Sequence, residues 1–326
     1  VQWLKLIIAV VSLSIVEDFL RFILKLITLH KGINLAKNYF SKDFILTLVE
    51  QENIKFAHKQ IKSTKYMKQG LLIDMDGVIY SGEELIFGAD KFIKNLIDED
   101  IPFAFMTNNS QRTALEVVRK LKGLGIKVEE SHVYTSAMAT GKFLSDQSPN
   151  GTAYVLGEGG LLSSLHDHGI TLVNTDPEFV VLGEGRNFTL EMVQRAVDMI
   201  LAGAKFITTN RDPSPKKPGW NNLGIAATTA MIEEATGRKA FVTGKPSPVM
   251  MRSARKFLGL ETSETTVIGD TMETDIQGGV QMGYKTILVL SGISSKDTLG
   301  HYAFKPDMIA SSVDEIKFPL TWWDSK

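Results

Sequence analysis

The chain has 326 residues, 44% of them hydrophobic, which is enough for two globular domains with a sizeable core. Basic side chains number 36 against 37 acidic ones, so no chain-wide field exists to recruit a nucleic-acid polymer or an anionic surface. The absence of cysteine excludes a disulfide framework, a thiolate metal site and a catalytic thiol, and it fits a reducing cytoplasm.

Residues 1–66 differ in kind from the rest, with no proline, no methionine and a single glycine, Gly32. The opening apolar run of roughly ten residues ends at Glu17 and Asp18, short of the ~20 that a membrane span requires. Glu17, Arg21, Lys25 and Thr28 then recur as a polar stripe at helical spacing, which predicts an amphipathic helix. Lysines dominate residues 31–68. Two readings follow: a membrane-surface anchor with a basic follow-on, or a helical extension upstream of Met67 that contributes nothing to the chemistry. The second is preferred, because Met67 lies just before the first strand of an otherwise complete domain.

From residue 70 the pattern alternates. "GLLIDMD", "PFAFMTN", "TAYVLGE", "EFVVLGE", "AKFITTN", "TTVIGD" and "KTILVL" are short apolar runs suited to buried strands. Between them, "DKFIKNLIDED", "TALEVVRKLKGLG", "LEMVQRAVDMILAG" and "VMMRSARKFLG" read as helices, several closed by glycine. This order predicts an α/β fold with a parallel sheet covered by helices on both faces, and ligands beyond the carboxyl ends of its strands. Asp74, Thr107 and Asp270 lie at such ends.

Asp74 and Asp76 would share a direction if the chain stayed extended, whereas Gly77 points to a turn; two residues alone leave this open. Their company is more telling: "MTNNS" at 106–110, "TGKPSP" at 243–248 and "IGDTMETDI" at 268–276 each supply a group that phosphate chemistry needs. Phosphate monoester hydrolysis demands a barrier reduction of order ~20 kcal/mol. A hard divalent cation held by carboxylates such as Asp74 and Asp270 can bridge the anionic nucleophile and the phosphate. Asp76, beside a like charge, can carry a proton for the departing alkoxide, and Lys245 adds a compensating cation. Thr107 and the N–H groups beside it can donate to phosphoryl oxygens.

With these four motifs in this order, residues 67–320 resemble the haloacid-dehalogenase superfamily of aspartate-nucleophile phosphatases, and more closely its NagD-like branch. The resemblance implies a doubly wound, Rossmann-like core with an inserted type IIA α/β cap. It makes Asp74 the nucleophile that forms an aspartyl-phosphate and Asp76 the general acid and base. Thr107, Asn108 and Asn109 match the substrate-binding second motif, and Lys245 the catalytic lysine of the third. Magnesium would be bound by Asp74, the main-chain carbonyl of Asp76, and Asp270, with Asp275 ordering its outer shell. The second aspartate, Asp76, separates phosphoryl-transfer members from the dehalogenases, which lack it.

Between Asp76 and Thr107 there is room for one flap and one helix, whereas the stretch from Thr107 to Lys245 exceeds a helix, strand and helix by about a hundred residues. That surplus is read as the cap at 147–242, splitting the core into 67–146 and 243–326. Inside it, "YVLGEGGLLSSL" and "VVLGEGRNFTLEM" both read as strand, Gly-Glu-Gly turn and helix. A dinucleotide fingerprint fails there, because its third glycine falls on Leu162. "TNRDPSPKKPGWNNLG" at 209–224 resembles the family's loop over the active site, with Asn210 and Asp212 at matching substrate-binding positions. Lys216, Lys217 and Trp220 can contact an anionic or planar leaving group or form a solvated loop. Where many members carry an aspartate, this chain has Gly185. His166 and His168 are read as surface residues near a helix end, not metal ligands.

The reading is a cytoplasmic, magnesium-dependent phosphatase acting on a small phosphorylated metabolite such as a nucleotide, sugar phosphate or pyridoxal phosphate. A homodimer paired through the cap is implied by the resemblance. Its rivals are a phosphotransferase or phosphomutase with the same nucleophile, and a non-catalytic, membrane-associated binding protein on the same scaffold.

Overall fold

The computed structural model describes residues 69–213 and 223–323, all within the unit Tyr66–Lys326. The amphipathic stretch and basic follow-on of residues 1–66 lie outside the described residues, as do Lys216, Lys217 and Trp220. None of the described helices is long and apolar enough to cross a membrane.

In chain order, β1 (Gly70–Ile73) leads to a hairpin of β2 (Tyr80–Ser81) and β3 (Glu84–Leu85), then α1 (Ala89–Asp98), β4 (Phe103–Thr107) and α2 (Ala114–Gly123). β5 (Val133–Thr135) and α3 (Ser136–Gln147) follow. Next come β6 (Thr152–Leu156), α4 (Gly159–Asp167), β7 (Thr171–Leu172), β8 (Phe179–Leu182), α5 (Leu190–Ala202), β9 (Lys205–Thr208), α6 (Gly224–Thr236) and β10 (Phe241–Val242). The chain closes with α7 (Pro248–Phe257), β11 (Thr265–Gly269), α8 (Gln277–Met282), β12 (Lys285–Val289) and β13 (Met308–Ala310).

Apart from the antiparallel β2–β3 hairpin, the strands form two parallel sheets, ordered β13-β12-β11-β1-β4-β5 and β10-β9-β8-β6-β7. In the first, β1 is central and buried at all four positions, which is why it reads as a continuous apolar run. Its side chains alternate between two cores. Leu71 and Ile73 pack with Phe92 and Leu96 of α1 and Leu121 of α2, while Leu72 meets Met250, Met251 and Ala254 of α7. Ile73 pairs with Phe105 of β4 on one side and Ile268 of β11 on the other. The three strands therefore stop at one level, and Asp74, Thr107 and Asp270 emerge together.

In the second sheet, Tyr154, Val180 and Phe206 pack on Val193 and Ile200 of α5 and Ile225 and Ile232 of α6. The opposite face, with Ala153, Phe179 and Ile207, meets Leu161 and Leu165 of α4. Ala137 and Leu144 of α3 join that second core, whereas Ala139 of the same helix belongs to the first sheet's core. One helix thus serves both layers. This explains why α3 is absent from the helices read from sequence: with Ser136, Ala137, Ala139, Thr140, Gly141 and Leu144 all buried, it carries no clean polar stripe. The brief strands β5, β7, β10 and β13 escape a pattern search for a simpler reason, having two or three residues each.

Candidate active site

The open question at Asp74 and Asp76 is settled by the turn. Gly77 has φ +83°, and the N–H groups of Val78, Ile79 and Tyr80 all donate to the Met75 carbonyl. The chain folds back instead of staying extended. Asp74 remains in register with the sheet, its N–H donating to the Ile268 carbonyl at 2.8 Å, and Asp76 stands exposed at the rim, bridged to Tyr80. Burial, then the charges of Asp76 and Asp74, push the Tyr80 phenol above its usual range, so both carboxylates act on the hairpin that follows them.

Lys245 is the pivot. Its buried ammonium donates to Asp74 Oδ1 and to Asp275 Oδ1, each at 2.7 Å. Burial opposes its charge, but Asp275 and Asp74 outweigh that cost and hold the ammonium protonated, above its ordinary range. Asp275 reaches it because residues Met272–Ile276 form a π-helical turn, which re-aims the side chain back under β11. A Cβ on Gly269 would lie 2.1 Å from the Asp275 Cβ, so a side chain there would block the approach.

Asp270 is wedged between two glycines. A Cβ on Gly77 would fall 2.3 Å from its Oδ2, and one on Gly292 only 1.9 Å away. Oδ2 accepts the Ile293 N–H at 2.7 Å and Oδ1 the Thr271 hydroxyl at 3.0 Å. Oxygens of Asp74, Asp270 and Asp275 lie within 4.8 Å of one another. Burial first, then the neighbouring carboxylates, push both Asp270 and Asp275 upward. Three carboxylates face one ammonium, which leaves two formal negative charges in excess at distances where like charges repel by about 4 kcal/mol at an effective dielectric of ~20. Hard oxygen donors with that surplus suit a divalent cation, so the site can hold a metal ion.

Thr107, Asn108 and Asn109 play three different parts. Thr107 Oγ1 accepts the Asn109 N–H at 3.1 Å, closing the strand end. Asn108 is a hub: its Oδ1 accepts the Lys245 N–H at 2.7 Å, and its Nδ2 donates to Asp212 Oδ1 at 2.9 Å and the Lys245 carbonyl at 3.2 Å. Asn210 Nδ2 in turn donates to the Asn108 carbonyl at 2.8 Å, and its Oδ1 accepts the Asp212 N–H at 2.9 Å. Two segments far apart in sequence therefore meet through one asparagine. Asn109 differs, because its Oδ1 accepts the Arg112 N–H at 3.1 Å and shapes the turn into α2.

Two carboxylates outside the motifs, Glu184 and Glu158, sit beside this network. Glu184 Oε2 accepts the Ser110 N–H at 3.1 Å, while the Glu184 N–H donates to Ser110 Oγ at 2.9 Å. Glu158 accepts from Gln111 Nε2 at 3.1 Å and from the Arg186 N–H. The signal was the repeated Gly-Glu-Gly turn, legible as a turn but not as a contact. His166 is exposed and His168 half-buried, with Nδ1 2.7 Å from the Ser164 carbonyl, so neither joins the carboxylate cluster.

The molecule matches known proteins along the same stretch. Residues 71–171 fit the model of the haloacid dehalogenase-like hydrolases, and residues 242–316 that of the HAD-hydrolase-like proteins. A dihydroxyacetone phosphatase of Corynebacterium glutamicum is 41% identical over 75% of this chain and 89% of its own. The ribonucleotide monophosphatase NagD of Escherichia coli is 38% identical over 76% of this chain and 98% of its own. The solved structure of NagD from E. coli K-12 superposes with a TM-score of 0.73 at 37% identity, covering 77% of this chain and 99% of that one. A p-nitrophenyl phosphatase from Archaeoglobus fulgidus gives 0.72 at 30% identity, over 76% and 97%. The chain thus belongs to the haloacid dehalogenase-like hydrolases, in their NagD-like branch, and is a phosphatase of that family.

Proposed function

We propose that the chain hydrolyses small phosphomonoesters with magnesium, through an aspartyl-phosphate formed on Asp74. The observation that carries this reading is the Asp74 carboxylate, pinned on one oxygen by Lys245 and lying within 4.8 Å of Asp270 and Asp275 oxygens. Asp74, Asp270 and the main-chain carbonyl of Asp76 would hold the ion, with Asp275 ordering its surroundings through Lys245. Bound magnesium supplies neutralisation of the phosphate's charge, which lets an anionic nucleophile approach phosphorus.

The chain's own residues carry the rest. An Asp74 oxygen attacks phosphorus as the ester P–O bond breaks, and Asp76 gives its proton to the leaving oxygen. Water then attacks the phosphoaspartate, Asp76 takes its proton, and the P–O bond to Asp74 breaks to release phosphate. Thr107 and the N–H groups beside it donate to the phosphoryl oxygens, and Lys245 balances their charge. The second sheet, within the cap expected at 147–242, sets the leaving-group space through Asn210 and Asp212. Small phosphorylated metabolites follow as substrates from the activities named for the relatives, dihydroxyacetone phosphatase and ribonucleotide monophosphatase. Pairing of two copies through that sheet is carried over from the family resemblance, and a monomer mass in light scattering would contradict it. A chain without cysteine fits the cytoplasm.

The test is phosphate release from p-nitrophenyl phosphate with magnesium and no added acceptor. Wild-type protein should release it and Asp74→Asn should not. Retained turnover in the variant removes the mechanism, and p-nitrophenol released only with an acceptor alcohol present, its phosphoryl group carried on that alcohol, turns the enzyme into a phosphotransferase.

A further inference from the structure

We propose that Glu184 is a positioning residue: through its reciprocal hydrogen bonds with Ser110, whose hydroxyl also receives Thr209, it holds the β4 loop and the loop after β9 at the separation that substrate binding requires. The proposal rests on the active-site reading above and adds a residue to it.

The geometry is that of a latch. Ser110 is completely buried, three residues beyond Thr107, and exchanges two hydrogen bonds with Glu184, its N–H to Oε2 at 3.1 Å and its Oγ from the Glu184 N–H at 2.9 Å. The Thr209 hydroxyl, on the loop after β9, also reaches Ser110 Oγ at 3.3 Å. Ser110 Oγ thus takes the Glu184 N–H and the Thr209 hydroxyl together, and the Asn210 amide, which donates to Asn108, helps hold the Glu184 carboxyl down. Through Ser110, Glu184 is therefore joined to both loops that converge on Asn108 and Asp212. The fit is tight: a Cβ on Gly183 would lie 3.1 Å from Ser110 Oγ and 2.5 Å from Leu161 Cδ2. The first Gly-Glu-Gly turn grips the next residues of the same loop, with the Gly160 N–H donating to the Gln111 carbonyl at 2.7 Å.

Asp212 on the loop after β9 is the charged group that acts on Glu184, and Glu158, which accepts the Arg186 N–H, lies against the neighbouring Gly185. Burial raises the Glu184 carboxyl to about 7 from its ordinary 4.5; Asp212 adds to the rise, and the Ser110 N–H and Asn210 amide hold it back. A raised carboxyl in the latched form means that latching takes up a proton. The latch is then strongest below about 4.5, weakens as pH rises to about 7, and is level above that.

The experiment compares wild type, Glu184→Gln and Glu184→Ala on p-nitrophenyl phosphate and on a ribonucleoside monophosphate, with hydrogen exchange at the Ser110 amide as a readout independent of turnover. Glu184→Ala should raise KM about tenfold, leave kcat within about threefold, and speed Ser110 exchange. Glu184→Gln, which keeps the shape without the charge, should restore KM, and the ratio of wild-type to Glu184→Gln KM should climb between about pH 5 and about pH 7. A Glu184→Ala enzyme with unchanged KM and unchanged exchange overturns the proposal, as does a ratio flat with pH. If Glu184→Ala does not fold, Glu184→Gln decides alone, by the pH dependence of its KM against wild type and by exchange at the Ser110 amide. Inactive wild-type protein would count against the phosphatase mechanism alone, and exchange at Ser110 would still rule on Glu184.

Discussion

Both parallel sheets present carboxylates at the carboxyl ends of their strands, yet the two edges are built for different work. On the first sheet, oxygens of Asp74, Asp270 and Asp275 lie within 4.8 Å of one another, and the buried Lys245 ammonium bonds the first and the last. On the second, Glu158 and Glu184 are satisfied by backbone and amide N–H groups of the β4 loop and the adjoining turns. The difference lies in what neutralises the charge. Neutral donors tie a carboxylate to a fixed place, whereas three carboxylates sharing one lysine leave a deficit that a bound cation and a reacting phosphate can exploit.

Removing the cation should erase this contrast with the largest effect. Lys245→Met leaves three buried carboxylates without a partner charge, so kcat on p-nitrophenyl phosphate should fall by about 10²- to 10³-fold. The metal-free protein should also lose roughly 3–5 kcal/mol, readable as a lower melting temperature that magnesium partly restores. A near-normal kcat would mean that the two edges do not differ in the way described. Gly292→Ala is a milder test, because its new methyl meets Asp270 Oδ2 and must displace it. Magnesium affinity measured by calorimetric titration should weaken about 10- to 100-fold while the fold persists. Unchanged affinity would take Asp270 out of the ion's shell. The smallest effect should come from Asn109→Ala, which removes a turn contact to the Arg112 N–H: about 1 kcal/mol in a denaturation curve and activity within about threefold. Should it match Asn108→Ala in lost activity, Asn109 serves the substrate directly.

What could be read from sequence divides along the same line. Asp74, Thr107 and Asp270 were legible because each closes an apolar strand, and Lys245 because it sits in a glycine-marked turn, with chain order giving their company; Asp275 came only from the family resemblance. The turn at Gly77 was one of two open readings, and a positive φ decides it. Glu184 and Ser110 were not legible as partners. They stand 74 positions apart, and their meeting depends on how the second sheet's turns settle on the first sheet's loop. Asn109 shares a motif with Asn108 but turns the other way, a matter of side-chain direction that a tripeptide does not encode. The spacing of Thr107 and Lys245 marked an inserted stretch, whereas the helix joining the two sheets was hidden by being buried on both sides.

That helix, α3, ties the sheets' fates together. Its Ala137 and Leu144 contribute to one hydrophobic core and its Ala139 to the other, so neither core is whole without the same turns of backbone. A chain built in this way cannot shed its second layer as a detachable lobe: unravelling one layer strips the cover from its neighbour, and cooperativity spreads across what topology draws as separate pieces.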